Sequence, residues 1–223
     1  LAGDVAVPTA EIIVDKAPAS AKQKAIIDDL VRRAEYIRSR RPLRVQRVDG
    51  TATDDSMLLI THAGRALSLD PRLVDADAPD RPDSKVNRCV KNLLDTYRAT
   101  DAQRGTQILF CDESTSTGAG KGRFNVYDDV RDKLIAAGIP REEIAVVQEV
   151  ADKDKKKLFD KVRSGEVRIL IGSTGTLGVG TNVQDRLAAL HDLSVPWRPA
   201  DLEQRMGRIV RPGNQNETVK IFR

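Results

Sequence analysis

Three polar residues near the carboxyl end of the chain recur at helical spacing. Gln204, Arg208 and Arg211 stand at positions i, i+4 and i+7 of the segment QRMGRIVR, so in a helix they would share one face. Gly207 adds no side chain there, which lets a backbone or a phosphate approach closely. Two parallel guanidiniums suit phosphate oxygens, and in phosphoryl transfer they stabilise charge on the γ-phosphate. An amphipathic helix with a solvated basic face fits the octapeptide equally well.

A second polar segment lies about thirty residues earlier. Ser173 and Thr174 directly follow the apolar run 167–171, and glycines flank the pair. In an open α/β sheet, ligands bind outside the carboxyl ends of the strands. Hydroxyls and bare backbone amides at that edge suit phosphate oxygens. A flexible turn between a strand and a helix is the alternative interpretation.

Two glycine-rich segments come close to known phosphate-binding fingerprints but lack required residues. The glycines within 172–182 follow the order G-x-x-G-x-G, whereas a dinucleotide site needs G-x-G-x-x-G. In 115–122 the first required glycine is Thr115, and glycine follows Lys121 where a magnesium-binding hydroxyl is needed. The sequence therefore predicts neither a dinucleotide cofactor nor a P-loop, and 112–123 is expected to form a long loop.

These segments are set within alternating helical and strand patterns beyond residue 84. Short apolar runs predict strands, and amphipathic stretches between them predict helices. The predicted strands are 107–111, 144–148, 167–171, 187–195 and 218–222, and the predicted helices are 85–100, 125–137, 153–164 and 200–209. This alternation indicates an α/β fold in which helices cover both faces of a parallel sheet.

The first eighty residues show less regular patterning. A helical apolar stripe runs through 20–40, and Ser20 is a suitable N-cap. Residues 57–60 form only a short apolar stretch. The predicted organisation is therefore a mainly helical N-terminal arm or linker at 1–80, followed by an α/β domain at 81–223.

Composition narrows the class of protein. Charged residues make up 31% of the chain and aromatic residues only 4%, and no apolar run reaches the length of a membrane span. No signal peptide is visible, so we expect a cytoplasmic protein without a membrane partner. A net charge of +4 is compatible with polyanion binding. Cys89 and Cys111 lack metal-ligand spacing and are expected to be buried reduced thiols, and the isolated His62 and His191 predict no metal site.

Together, the two polar segments resemble motifs V and VI of superfamily 2 helicases and translocases. Motif VI has the signature Q-x-x-G-R-x-x-R, which 204–211 matches, and the Ser-Thr pair with a following Gly-x-Asn in 172–182 is similar to motif V of the Swi/Snf-like branch. The sequence PWRP at 196–199 resembles the Trp-x-Pro that precedes motif VI in that branch. The resemblance covers about 85–223 and implies a RecA-like lobe.

The resemblance also implies roles for particular residues. Arg208 and Arg211 would be catalytic arginine fingers. The positions near the nucleotide would be Gln204, Gly180 and Asn182. The contacts to the nucleic-acid backbone would come from Ser173 and Thr174, and also from Lys121 and Arg123 because the loop at 112–123 stands at the position of motif IV.

The motifs that hold ATP in this superfamily are missing. Motif I supplies a Gly-Lys-Thr or Gly-Lys-Ser loop and motif II an Asp-Glu-x-His box, but here Asp112-Glu113 is followed by Ser-Thr. The chain therefore resembles the second of two lobes. ATP and Mg²⁺ are expected only in an intact two-lobe protein, and none is expected on this chain by itself, which would be inactive and monomeric. The expected partners are the first lobe and DNA, with RNA not excluded.

The segment 22–74 is similar to the inter-lobe region of large helicase-methylase proteins of bacterial mobile elements. The absence of an initial methionine fits a piece of such a protein. A different class stays open as an alternative: a non-catalytic RecA-like module that binds nucleic acid or protein. Intact motifs I and II upstream in the parent gene would separate the two.

Overall fold

The computed structural model describes residues 6–39, 43–46, 50, 52–113, 124–177 and 182–223. These residues form eight strands, seven α-helices and three short 3₁₀ turns. The strands are β1 (Thr9–Ile13), β2 (Arg44–Gln46), β3 (Ala52–Asp54), β4 (Thr106–Phe110), β5 (Ile144–Val146), β6 (Ile169–Gly172), β7 (Leu187–Asp192) and β8 (Thr218–Phe222). The helices are α1 (Ala21–Arg38), α2 (Met57–Leu69), α3 (Lys85–Ala99), α4 (Val126–Ala136), α5 (Asp152–Ser164), α6 (Thr174–Leu177) and α7 (Pro199–Ile209). Within this part of the chain, none of the helices could cross a membrane.

The main sheet has six parallel strands in the order β1-β8-β7-β4-β6-β5. From β4 the chain moves outward to β5 on one side, whereas from β7 it moves outward to β8 on the other side. The topological switch therefore lies between β4 and β7, and the crevice at their carboxyl ends is where such sheets bind ligands. The short strands β2 and β3 pair antiparallel in a separate sheet.

Hydrophobic cores lie on both faces of the main sheet. On one face α3 and α4 bury Val90 and Leu134 against the strands. On the other face α5 and α7 bury Leu158 and Ile209. The residues of β4 and β6 are buried throughout, as expected for strands that are covered on both sides. The predicted parallel sheet with helices on both faces is confirmed.

The N-terminal part contains several elements that the sequence patterns did not predict, among them β1, the β2–β3 pair and most of α2. β1 is an edge strand of the main sheet and pairs with β8, so that Ala10 lies opposite Val219. The main sheet thus extends beyond residues 81–223. The predicted boundary between arm and α/β domain at residue 80 leaves the strand β1 in the arm. The apolar stretch at 57–60 is the start of the longer helix α2, whose N-cap is Ser56. The predicted cap of α1 is present, since Ser20 and Gln23 form a capping box.

The helices of the arm pack together and onto the α/β domain. Leu30 of α1 and Leu67 of α2 share a small hydrophobic cluster. Arg65 of α2 donates from Nε to Oε1 of Glu113, which follows β4, at 2.5 Å. Arg72 pairs with Asp129 of α4 at 3.0 Å. These contacts hold α2 close to the carboxyl edge of the sheet.

Candidate phosphate and nucleic-acid site

Helix α7 carries the segment 204–211 only in part. It begins at Pro199 and ends at Ile209, and Val210 already has the non-helical ψ of 78°. The cause is Pro212, because a residue that precedes proline is disfavoured in the α-helical region, and Arg211 is that residue. The expected single helical face through position i+7 is therefore wrong for Arg211, which lies in the turn after the helix. Gln204 and Arg208 do share a face of α7.

Arg208 in the last turn of α7 and Arg211 just after it nevertheless bring two positive charges to the same end of the helix. Arg208 is half-buried, and its pKa is lowered by burial and by the positive charge of Arg211. Arg211 is also half-buried, and no acidic side chain in the described residues forms a salt bridge with it. Two neighbouring cations of this kind favour an anion beside them.

The surface beside these arginines is open. Gly207 is exposed, and a Cβ built on it would meet no atom within 4 Å. Gln204 is also exposed. Within the part of the chain that the structure describes, no atom crowds this part of α7.

The buried Arg205, which the sequence interpretation did not select, organises the carboxyl edge of the sheet. Its side chain is only 1% exposed, and its guanidinium lies over the ring of Phe110 at 4.8 Å. Nη1 donates to Oδ1 of Asp192 at 2.9 Å and to the carbonyl of Ser194 at 2.8 Å. Nη2 donates to Oδ2 of Asp112 at 2.6 Å. This arginine therefore joins the ends of β7 and β4 at the switch point.

Thr174 belongs to the same network. Its hydroxyl accepts from Nε and Nη2 of Arg205 at 3.0 and 2.7 Å and donates to Oδ2 of Asp112 at 2.9 Å. A hydroxyl has one donor and two acceptor positions, so all of its positions are occupied. The backbone amide of Thr174 donates to Oδ1 of Asp112 at 2.6 Å. The hydroxyl of Ser173 is paired with that of Thr176 at 3.1 Å.

The other predicted positions lie near the carboxyl end of α7 or outside the described residues. Asn182 is exposed, and its carbonyl accepts from Nη1 of Arg163 at 2.7 Å. The amide of Gln215 donates to the carbonyl of Asp185 at 2.9 Å, and Nε2 of Gln184 donates to the carbonyl of Pro212 at 3.5 Å. The segment that contains Asn182 is thus adjacent to the turn that contains Arg211. The predicted site residues that fall outside the described part of the chain are Gly180, Lys121 and Arg123.

The donor set fits phosphate and not a metal ion. Across the described ranges, no group of three His, Cys, Asp or Glu residues is arranged to hold a metal. His191 is buried, which lowers its pKa to about 3, and its Nε2 is 2.9 Å from Oε1 of Gln107. Both cysteines are buried and free, as predicted.

Comparisons with known proteins agree with this fold. Residues 87–213 match the family model described as the helicase conserved C-terminal domain, which is more than half of the chain. The structure is similar to the C-terminal part of the Fun30 ATPase domain, with a TM-score of 0.61, 15% identity, and coverage of 97% of this chain and 85% of that chain. This likeness confirms the predicted RecA-like fold. No curated protein gives a significant match.

More distant structures share part of the fold. The DUF1998 helicase MrfA bound to DNA has 13% identity and a TM-score of 0.43, over 60% of this chain and 17% of that chain. Dbp5 from S. cerevisiae, bound to RNA and ADP BeF3, has 18% identity and a TM-score of 0.43, over 60% of this chain and 32% of that chain.

Proposed function

Because the chain belongs to the helicase conserved C-terminal domain family, we propose that it is the second ATPase lobe of an ATP-dependent DNA helicase or translocase of the Swi/Snf-like branch. The observation that carries this proposal is the pair of half-buried arginines at the carboxyl end of α7, with Arg208 in its last turn and Arg211 just after it, beside the uncrowded Gly207. Such a pair complements the charge that develops on a transferred phosphoryl group. The described residues contain no cluster of side chains that could hold the metal ion. In this proposal the metal-binding residues belong to the first lobe.

In this proposal the site is completed when two lobes close on ATP. The first lobe holds Mg²⁺ and the phosphates, and Arg208 and Arg211 face the γ-phosphate from this chain. Gln204, Asn182 and Gly180 lie toward the nucleotide. The carboxyl edge of the sheet, with Ser173 and Thr174, faces the nucleic acid, and Lys121 and Arg123 are proposed to contact its phosphates. Because Thr174 is already fully hydrogen-bonded, a phosphate that binds its hydroxyl has to displace one of these bonds.

We propose DNA as the track. RNA is not excluded, because contacts to the nucleic-acid backbone are independent of the sequence and of the base edges. Binding through phosphates predicts an affinity that falls steeply with salt. We also assign the intact protein to the cytoplasm. The sequence pattern of 22–74 is the reason that we assign it to the helicase-methylase type found on bacterial mobile elements. This chain alone is expected to be monomeric and without ATPase activity.

The test uses the intact two-lobe protein and measures phosphate release with saturating duplex DNA. Arg211→Ala is expected to lower kcat by roughly 10³-fold or more, the usual effect of removing an arginine finger. Arg98→Ala is the matched control, because Arg98 is an exposed arginine in the last turn of α3, and it should leave kcat unchanged. Turnover by Arg211→Ala within a few-fold of the wild-type rate would refute the assignment. A parent gene without motifs I and II would favour the non-catalytic binding module.

A further inference from the structure

Arg205 connects the two functional ends of the proposed site. It lies in α7, three residues before Arg208, and its guanidinium reaches the ends of three neighbouring strands: β6 through Thr174, β4 through Asp112 and β7 through Asp192. Residues three apart in a helix occupy adjacent positions of its surface. Arg205 therefore links the carboxyl edge of the sheet to the turn of α7 that carries Arg208.

The two edges of this guanidinium have different partners. Nε and Nη2 contact Thr174 and Asp112, on the side proposed to face nucleic acid. Nη1 contacts Asp192 and the carbonyl of Ser194 on the other side. Only a planar fork with several fixed donors can make both sets of contacts at once, whereas a lysine ammonium is a single point charge.

Building on the proposed function, we propose that Arg205 is a positioning residue that couples nucleic-acid binding at 173–174 to the placement of Arg208 at ATP. Thr174 has no hydrogen-bonding position to spare, and a phosphate oxygen can only accept the proton that its hydroxyl now donates to Oδ2 of Asp112. That carboxylate oxygen also accepts from Nη2 of Arg205, so a phosphate on Thr174 frees Asp112 from the hydroxyl and changes the contacts of the Nε and Nη2 edge. The hydrogen bonds of Arg205 then have to rearrange, and α7 moves with them. The coupling comes from this exchange of partners, because binding at one site changes the contacts that hold the other.

The test compares ATP hydrolysis by the intact two-lobe protein with and without saturating duplex DNA. The readout is the stimulation ratio, which is the rate with DNA divided by the rate without it. Arg205→Lys keeps the charge and loses the fork, and it is expected to reduce this ratio about tenfold, within the usual range of allosteric coupling. Asp192→Asn is the matched control. It removes a buried charge from the same network but leaves the Nε and Nη2 edge intact, so the melting temperature should fall while the ratio stays within twofold.

Two outcomes overturn the inference: an unchanged ratio in Arg205→Lys, or an equal loss in Asp192→Asn, which would show a structural role only. If Arg205→Lys does not fold, Asp112→Asn takes its place, because Asp112 contacts both Arg205 and Thr174. An unchanged ratio in that variant would equally overturn the inference. A wild-type protein without DNA-stimulated hydrolysis would instead contradict the proposed function itself.

Discussion

Replacing Gly207 by alanine should stabilise this chain and slow the intact enzyme. Glycine in a helix interior costs about 0.8–1.0 kcal/mol relative to alanine, and Gly207 lies two residues before the end of α7. The added Cβ meets no atom within 4 Å, so no overpacking opposes this gain. We expect a stabilisation of about 0.5–1 kcal/mol, which corresponds to a rise of roughly 1–4 °C in melting temperature for a chain of this size.

The same methyl group should impair catalysis. It would occupy the open surface beside Gln204, where the proposed nucleotide approaches. Misplacing a reacting group by about 1 Å can cost roughly 10²-fold in rate, so we expect DNA-stimulated ATP hydrolysis by the intact protein to fall by at least tenfold. Thermal unfolding of this chain and phosphate release by the intact protein measure the two effects separately.

Gly64→Ala is the matched control for this prediction. Gly64 lies within α2, and the nearest atom to its Cβ would be Cδ1 of Leu30 at 4.0 Å. This substitution should give a similar stabilisation without a loss of activity. Full activity in Gly207→Ala would show that nothing approaches that surface of α7 during turnover. A lower melting temperature in Gly207→Ala would show that the helix is crowded there.

Two further predictions concern buried titratable groups. Burial lowers the pKa of His191 to about 3, from about 6.5 in an unfolded chain, so the unfolded state alone takes up a proton as the pH falls below 6.5. The free energy of unfolding should therefore decrease by about 2 kcal/mol between pH 7 and pH 5. In His191→Asn, urea unfolding should show most of that decrease to be absent. Burial raises the pKa of Cys89 and Cys111 to about 12, so at pH 8 a thiol reagent should modify neither residue in the folded chain and both in urea. Rapid labelling of the folded protein would contradict their burial.

The sequence predicted the elements whose apolar pattern reflects their own burial. β4 and β6 are continuous apolar runs because both of their faces are covered, and α3, α4, α5 and α7 were predicted to within two residues of their observed ends. β1 was missed because it is an edge strand in which no residue is fully buried, so its short sequence shows only a weak apolar pattern. α2 was underestimated because its apolar residues are interrupted by polar ones that lie on its solvent face.

The candidate site was predictable in residue type but not in arrangement. Arg208 and Arg211 were selected by their spacing, and both lie at the carboxyl end of α7. Their shared helical face was wrong for Arg211, because Pro212 ends the helix just before that position. Arg205 stands in the same segment, but its burial depends on partners that are distant in the chain.

The amino-acid order by itself determined the α/β class, the order of the strands and helices along the domain, and the positions of the residues that we propose bind phosphate. Those features depend on hydrophobic periodicity, on the residues that begin and end helices, and on short motifs, all of which involve only a few neighbouring residues. Only the tertiary structure decided that Arg205 is buried and that Asp112, Thr174 and Asp192 surround it. Those partners lie 93, 31 and 13 residues away along the chain, and only the parallel pairing of β6, β4 and β7 brings their carboxyl ends to one edge.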